Sequence, residues 1–419
     1  MSVNESRSFL RPAWGVFSPR VVTTAVFFAF ALGIGLWAGS IPVLMHRTGL
    51  GAEGLGLALT LHSAAYIGAM TLAGRMTRRF ELRAFMAWLL AAHGVAFFGI
   101  FLAPNAWLLV LALIVMGLTA GSLDLAMNTE ATTLEHERGR PLLTRMHAAA
   151  SASFALGAIG GSLISTSLGP LACALLSAAV VAPVWLAVRR LGRRRPLPDP
   201  APATLREPEL EAAGAAAVQA AARTASTTEP ATRRRPDPVL LFGIVLGLST
   251  VAELTAQMWS AKFLAEQAAS LAALAGAGAA LYAGCQSAVR LVGDQLRRRF
   301  GDVRVIAVSL VLAAVGFVVV ALADGFATGV AGFALVGLGT ACVVPCCFAQ
   351  IAAALPGRGG QALGKASLIS GVIRLPTPML LGLIAARQSD STAFALIAVS
   401  LLVGVAGMLI ALRQAARAA

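Results

Sequence analysis

Charge is what this chain is short of. Of its 419 residues only 12% are Asp, Glu, Lys or Arg, against roughly 25% in soluble domains, while 58% are hydrophobic. That balance excludes a soluble globule. The usual bearers of chemistry are missing as well. No His/Cys cluster has zinc spacing, and there is neither a phosphate-binding glycine loop nor a nucleophile elbow. An enzyme is therefore not expected, nor is a metal or cofactor. The five cysteines (Cys173, Cys285, Cys342, Cys346 and Cys347) all sit in apolar stretches, so they make no disulfide framework and read as small packing residues. A cleavable leader is not expected either, because the first 20 residues are polar, carry Arg7, Arg11 and Arg20, and run straight into a full-length apolar stretch.

Apolar stretches are what the chain does have. A membrane span needs about 20 mostly apolar residues, and twelve such spans are predicted, at 21–44, 55–75, 84–103, 106–129, 146–167, 170–188, 239–263, 271–296, 304–323, 326–352, 362–386 and 391–412. The formal charge of +14 would suggest nucleic acid as partner in a soluble chain. Here nearly all of the basic residues fall in alternate loops, the pattern of cytoplasmic segments, with only Arg47, Lys262 and Arg387 on the other side. The expected topology is N-in and C-in, with the lipid bilayer as the partner and no nucleic acid.

A linker rich in Arg, Pro, Ala and Thr divides the chain. The expected organisation is an N-terminal six-helix bundle over 1–188, a cytoplasmic linker over 189–237 and a C-terminal six-helix bundle over 238–419. The linker's alanine-rich middle, Glu211 to Arg223, is a candidate surface helix. The halves read as copies: Arg78-Arg79-Phe80 recurs at Arg298-Arg299-Phe300, and Gly117-Leu118 at Gly337-Leu338, each 220 positions on. Repeated six-helix halves place a transporter's site where the repeats meet, near the bilayer midplane.

The fourth span carries an acid. Gly117, Gly121, Asp124 and Asn128 lie along one side of a helix. The glycines admit a neighbouring helix, and the carboxylate must face a partner or a wet cavity, because lipid would cost it roughly 2.5–3.5 kcal/mol or more. Asp124 and Asn128 read either as cross-links between helices or as a solute- and proton-handling site. Polar stripes recur on the seventh span (Thr250, Glu253, Gln257, Ser260), the eighth (Tyr282, Gln286, Arg290, Asp294) and the eleventh (Ser367, Ser370, Arg374, Thr377). Pro376 and Pro378 should bend the eleventh helix and free carbonyls. Trp37, His62, Tyr66, His147 and Ser151 are the polar or aromatic contributions of the first half. Arg290 is expected either to pair with Asp294 one turn on or to line the mouth. Arg374 has Glu253 as a candidate partner across the cavity, Trp37 is either a core aromatic or a stacking surface, and His93 reads as a packing histidine.

The whole chain resembles the major facilitator superfamily, and within it a MosC-like branch of bacterial inner-membrane proteins related to fucose permeases. The resemblance is carried by Phe27-Phe28 through Ile41-Pro42 with Gly49-Leu50, Asp124-Leu-Ala-Met-Asn128, and Gly139-Arg-Pro-Leu142 followed by His147 and Ser151. In the second half it rests on Glu253 six before Trp259-Ser260, and on Arg290-Leu-Val-Gly-Asp294 before Arg299-Phe-Gly301. It implies alternating access between two halves without ATP hydrolysis, and a proton-coupling acid at Asp124. The chain departs from the pattern at Ala38, at Met258, and in the loop Gly74-Arg75-Met-Thr-Arg78-Arg79, which lacks the usual Asp.

The resulting expectation is an all-α integral membrane protein, a monomer in the inner membrane. It would work as a proton-coupled secondary transporter of a small polar organic solute, sugar or cyclitol-like. Asp124 is the expected proton carrier. Trp37, His62, Tyr66, Asn128, Glu253, Gln257, Tyr282, Gln286 and Arg374 are the solute-binding candidates, and Arg75, Arg79, His147, Arg290 and Asp294 the gating candidates. The alternative is an exporter of anionic or amphipathic drugs or metabolites. A sensor is disfavoured, because the 189–237 linker is too short for a folded domain.

Overall fold

The computed structural model describes residues 18–138, 142–192, 237–354 and 359–417, and among them every regular element is helical. The first half forms α1 (Pro19–Thr48), α2 (Ala52–Arg79), α3 (Leu82–Leu102), α4 (Ala106–Arg138), α5 (Leu143–Ser167) and α6 (Pro170–Arg190). The second forms α7 (Pro238–Gln267), a 3₁₀ turn (Ala269–Leu274), α8 (Ala277–Phe300), α9 (Asp302–Ala321), α10 (Phe326–Thr340), α11 (Val343–Ala354), α12 (Gly359–Arg374), α13 (Thr377–Arg387) and α14 (Asp390–Arg417). Twelve rods result when α10–α11 and α12–α13 are each counted as one interrupted helix. Eleven of these are long and apolar enough to cross a membrane; α8, 24 residues long, falls outside that set and carries the Gln286, Arg290 and Asp294 stripe.

Local chemistry sets the ends. Pro19, Pro170 and Pro238 each open a helix where a missing N–H costs nothing. Asp237 caps α7 through the Val239 N–H at 2.9 Å. Partial burial pushes the Asp237 carboxyl up, but the Lys365 ammonium and the Val239 N–H outweigh it and hold the group below the ordinary aspartate range. Gly49 ends α1 at φ 71°, a left-handed conformation natural to glycine.

Apart from end shifts of five residues or fewer, three features differ from the sequence expectation. The eighth span starts at Ala277 rather than 271, the preceding residues being spent on the 3₁₀ turn. The fourth runs on to Arg138, since a helix need not stop where its apolar stretch does. The tenth is not continuous: it breaks between Thr340 and Val343, because Pro345 cannot donate to the Ala341 carbonyl one turn back. The eleventh breaks between Arg374 and Thr377, at Pro376, as expected. The 193–236 stretch, including the proposed surface helix, lies outside the described residues.

Small residues hold the halves together internally. Gly35 and Gly39 of α1 lie directly on the backbone of α5, Gly35 against Phe154 and Gly157 and Gly39 against Ala158 and Ser162, while Gly161 of α5 lies on the Leu36 backbone in return. Between the halves, α2 packs on α13, α5 on α8, and α1 on α7. The offset of 220 reappears in these contacts. Gly56 meets Pro378 and Gly382, and Gly276 meets Ala158 and Ser162; each pair maps onto the other when 220 is added or subtracted. Within the halves, Gly117 lies against the His62 carbonyl and Gly337 against the Tyr282 carbonyl, again 220 apart. Among the described residues two hydrogen bonds cross between the halves at the end opposite the basic loops: Gly276 N to Ser162 Oγ and Met379 N to Thr60 Oγ1, both 3.1 Å. That end is shut. Toward the basic end, His147 of α5, Arg290 of α8 and Ser367 of α12 are exposed.

Candidate functional site

Two polar clusters face each other across the halves. In the first, Gly117 and Gly121 let α4 sit directly on the carbonyls of His62 and Tyr66. This brings Tyr66 Oη to Asp124 Oδ2, to which it donates at 2.6 Å. Asn128 Nδ2 donates to Asp124 Oδ1 at 2.9 Å and to the Asp124 carbonyl at 2.8 Å. Asn128 Oδ1 faces His147 Nε2 at 3.2 Å, and the His147 ring stands edge-on to Phe27 at 5.1 Å. Asp124 thus points into the protein, each carboxylate oxygen taking one donor, with no cation within ion-pair distance among the described residues. The spacing foresaw Asp124 and Asn128 on one side. That the Asn128 amide is spent on Asp124, and not left free for a solute hydroxyl in this conformation, emerges only from the fold.

His62 bonds the Leu113 carbonyl through Nδ1 at 3.0 Å, and its ring lies tilted beside Trp37 at 5.5 Å. Trp37 is 2% exposed, so in this conformation it is a core aromatic behind His62. His93 is fully buried between Phe30 and Phe97 and touches Thr119 Oγ1 at 3.1 Å, as expected of a packing histidine.

The second cluster belongs to the other half. Gln286 Nε2 donates to Tyr282 Oη at 2.7 Å and reaches Thr340 Oγ1 at 3.3 Å, which ties α8 to α10. Tyr282 is completely buried and holds Gln286 from behind. Arg290 does not pair with Asp294. Its Nη2 lies 3.8 Å from Glu253 Oε1, and its Nε donates to the Ala341 carbonyl at 3.3 Å, the acceptor that Pro345 leaves open. Asp294, exposed, pairs with Arg297 at 3.7 Å. Glu253 Oε1 has no hydrogen bond among the described residues. Gln257 is half-buried one turn from Glu253. Thr250 meets Ser370 at 3.3 Å, joining α7 to α12.

Arg374 stands between the clusters. It closes α12, where the carbonyl end of a half-helix favours a cation. It is within Coulombic reach of Glu253 on its own side and of Tyr66 and His62 on the other. Glu253 is not its ion-pair partner, as the sequence suggested it could be; among the described residues its guanidinium has no carboxylate within 4 Å and makes no hydrogen bond. Arg290 and His147 also sense each other across the halves. Of the loop candidates, Arg79 is exposed at the end of α2, and Arg75 lies one turn earlier, its side chain outside the described residues.

Two buried ion pairs were not anticipated. Arg83 grips Glu130 through Nε and Nη2 at 3.0 and 2.9 Å, joining α3 to α4 at the basic end. At the shut end, Lys262 is buried between Asp390 at 2.6 Å and Glu266 at 2.8 Å, beside an open groove of about 660 Å³. An acid four residues after a lysine in an apolar run was the available signal for the second.

Comparison with known proteins agrees with this architecture. The profile of the Major Facilitator Superfamily matches residues 23–277. An uncharacterized transporter, y4wD, of Sinorhizobium fredii is 26% identical over 352 residues, covering 84% of this chain and 87% of that protein. The membrane protein MosC of Rhizobium meliloti is 27% identical over 343 residues, covering 80% and 76%. Among solved structures, a variant of the nucleoside transporter NupG superposes with TM-score 0.77 at 14% identity, over 94% of this chain and all of that one. A peptide transporter, POT, in complex with sulfate does so with 0.69 at 14%, over 97% and 96%. At such identities the structural likeness is one of fold.

Proposed function

The chain belongs to the major facilitator superfamily of membrane transporters, and on that premise we propose that it is a proton-coupled secondary transporter of a small polar organic solute. It works as a monomer in the bacterial inner membrane by alternating access, with 1–188 and 238–419 as the moving halves. The observation that carries this reading is Asp124, an intramembrane carboxylate on α4 held by Tyr66 and Asn128. An intramembrane acid without a cation beside it is suited to gaining and losing a proton. Toward the basic end His147, which bonds Asn128, is a candidate for taking that proton.

On this reading the basic loops are cytoplasmic, so the contacts of Gly56 with Gly382 and of Gly276 with Ser162 close the outer end and the solute leaves or enters by the inner one. Glu253, Gln257, Gln286 and Arg374 contribute the solute contacts of the second half, and His62 and Tyr66 those of the first. Trp37 and Tyr282 shape the site from behind. Arg290, tied to Glu253, lines the inner mouth with His147, Asp294 and the Arg75 and Arg79 loop.

Replacing Asp124 by Asn tests the coupling. In proteoliposomes containing only this protein, D124N is expected to abolish uphill accumulation under an inward proton gradient while sparing solute exchange at equal pH. Accumulation at the unsubstituted rate would remove Asp124 from coupling.

A further inference from the structure

Arg374 is the only cation within the described residues of the cleft that has neither an acid nor an acceptor of its own. Arg290 is matched by Glu253 at 3.8 Å and by the Ala341 carbonyl. The groups facing Arg374 are Tyr66 and His62 from the first half and Glu253 from the second; Asp124, His147 and Arg290 complete the charged and titratable lining. With both histidines neutral, Glu253 and Arg290 cancel, leaving the Asp124 carboxylate and the Arg374 guanidinium in balance.

That balance constrains what can cross. Moving an unbalanced charge through a closed, dehydrated intermediate is expensive. The empty site is neutral. A proton on Asp124 alone leaves it at +1, and an anion on Arg374 alone leaves it at −1. Both together restore neutrality, so a loaded crossing that carries a proton is permitted only when an anion goes with it. A neutral solute with a proton, or a dianion with one proton, leaves the ledger open.

Resting on the proposed transport reading, we propose that the solute is a polyhydroxylated monocarboxylate, whose carboxylate docks on the Arg374 guanidinium while its hydroxyls meet Gln257 and neighbouring side chains. The guanidinium's parallel N–H donors match the two carboxylate oxygens. One proton accompanies one anion, so transport carries no net charge.

The test uses the full chain in proteoliposomes under an inward proton gradient, with labelled acid and neutral compounds of matched skeleton: galacturonate against galactose, gluconate against glucitol, and quinate against inositol. At least one acid is expected to enter about tenfold or more faster than its neutral partner, at a rate unchanged when valinomycin and potassium impose a membrane potential. R374Q should remove that preference and R374K should retain part of it, with both variants melting as the parent does. Neutral members entering as fast in every pair, acid uptake surviving R374Q, uptake that follows the potential, or no acid entering would overturn the proposal. Proton-driven uptake of a neutral member that still needs Asp124 would leave the transport reading standing and remove only this inference.

Discussion

One added methyl group should bias the whole transporter. A Cβ at Gly276 would sit 2.8 Å from Ser162 Oγ and run into the Ala158 carbonyl, where carbon contacts settle at about 3.5–4.0 Å. For Gly276→Ala, α5 and α8 must therefore part by about 1 Å at the outer end, and overpacking of this kind costs about 1–3 kcal/mol. The cost falls only on the conformation shut outside, because opening that end separates the same surfaces. The equilibrium should thus shift about 5–150-fold toward the outward-open form. Gly56→Ala, at the position 220 residues earlier, meets Pro378 and Gly382 and should act in the same direction. Gly284→Ala is the control, since it lies on α8, the helix that Gly276 caps, with open space around its Cβ. Spin labels on cysteines introduced at Gly51 and Gln267, in a background without the native cysteines, report the outer gap by pulsed electron resonance. Longer distances are expected for Gly276→Ala and Gly56→Ala and unchanged ones for Gly284→Ala. Unchanged distances in both contact variants, or an equal change in the control, would refute the claim that these glycines form the outer seal.

Other outcomes follow from the same geometry. Lys262→Met leaves the buried Asp390 without its ammonium and should destabilise the protein by about 3–5 kcal/mol; Lys262→Met with Asp390→Asn should recover most of this, as read by thermal melting in detergent. Asp237 has a folded-state pKa below its ordinary value, so its contribution to stability is present above the ordinary aspartate range and is lost as pH falls through the lower folded value. Hydrogen-exchange protection at the start of α7, taken relative to the intrinsic rate at each pH, should accordingly fall on acidification below about pH 4, and Asp237→Asn, which still caps, should flatten that dependence. The effect will be small, because the Asp237–Lys365 pair is about half exposed.

Much of the architecture was legible in the chain because it depends on local periods. Runs of about 20 apolar residues mark spans wherever they fold. The offset of 220 between the halves, read from Gly117 and Gly337, reappears as a contact rule linking Gly56 to Gly382 and Gly276 to Ser162. Proline at 376 announced the break in the eleventh helix. The acid on α4 could not face lipid, and the two glycines above it named the side on which a partner would come.

What the fold alone decided are the partners. Spacing along one helix says which residues share a face and nothing about which helix lies opposite. Arg290 has Asp294 within one turn, yet turns to Glu253 on α7 and to a carbonyl released by Pro345 in α10–α11, because those groups are buried and need satisfying while Asp294 has solvent. Asn128 lies four residues from Asp124 and is used up by it, a choice set by Tyr66 and His147 arriving from other helices. Arg374 is left over by the same process: among the described residues every neighbouring acid is engaged elsewhere or held at a distance, and only three-dimensional packing could leave that guanidinium unmatched between the two clusters.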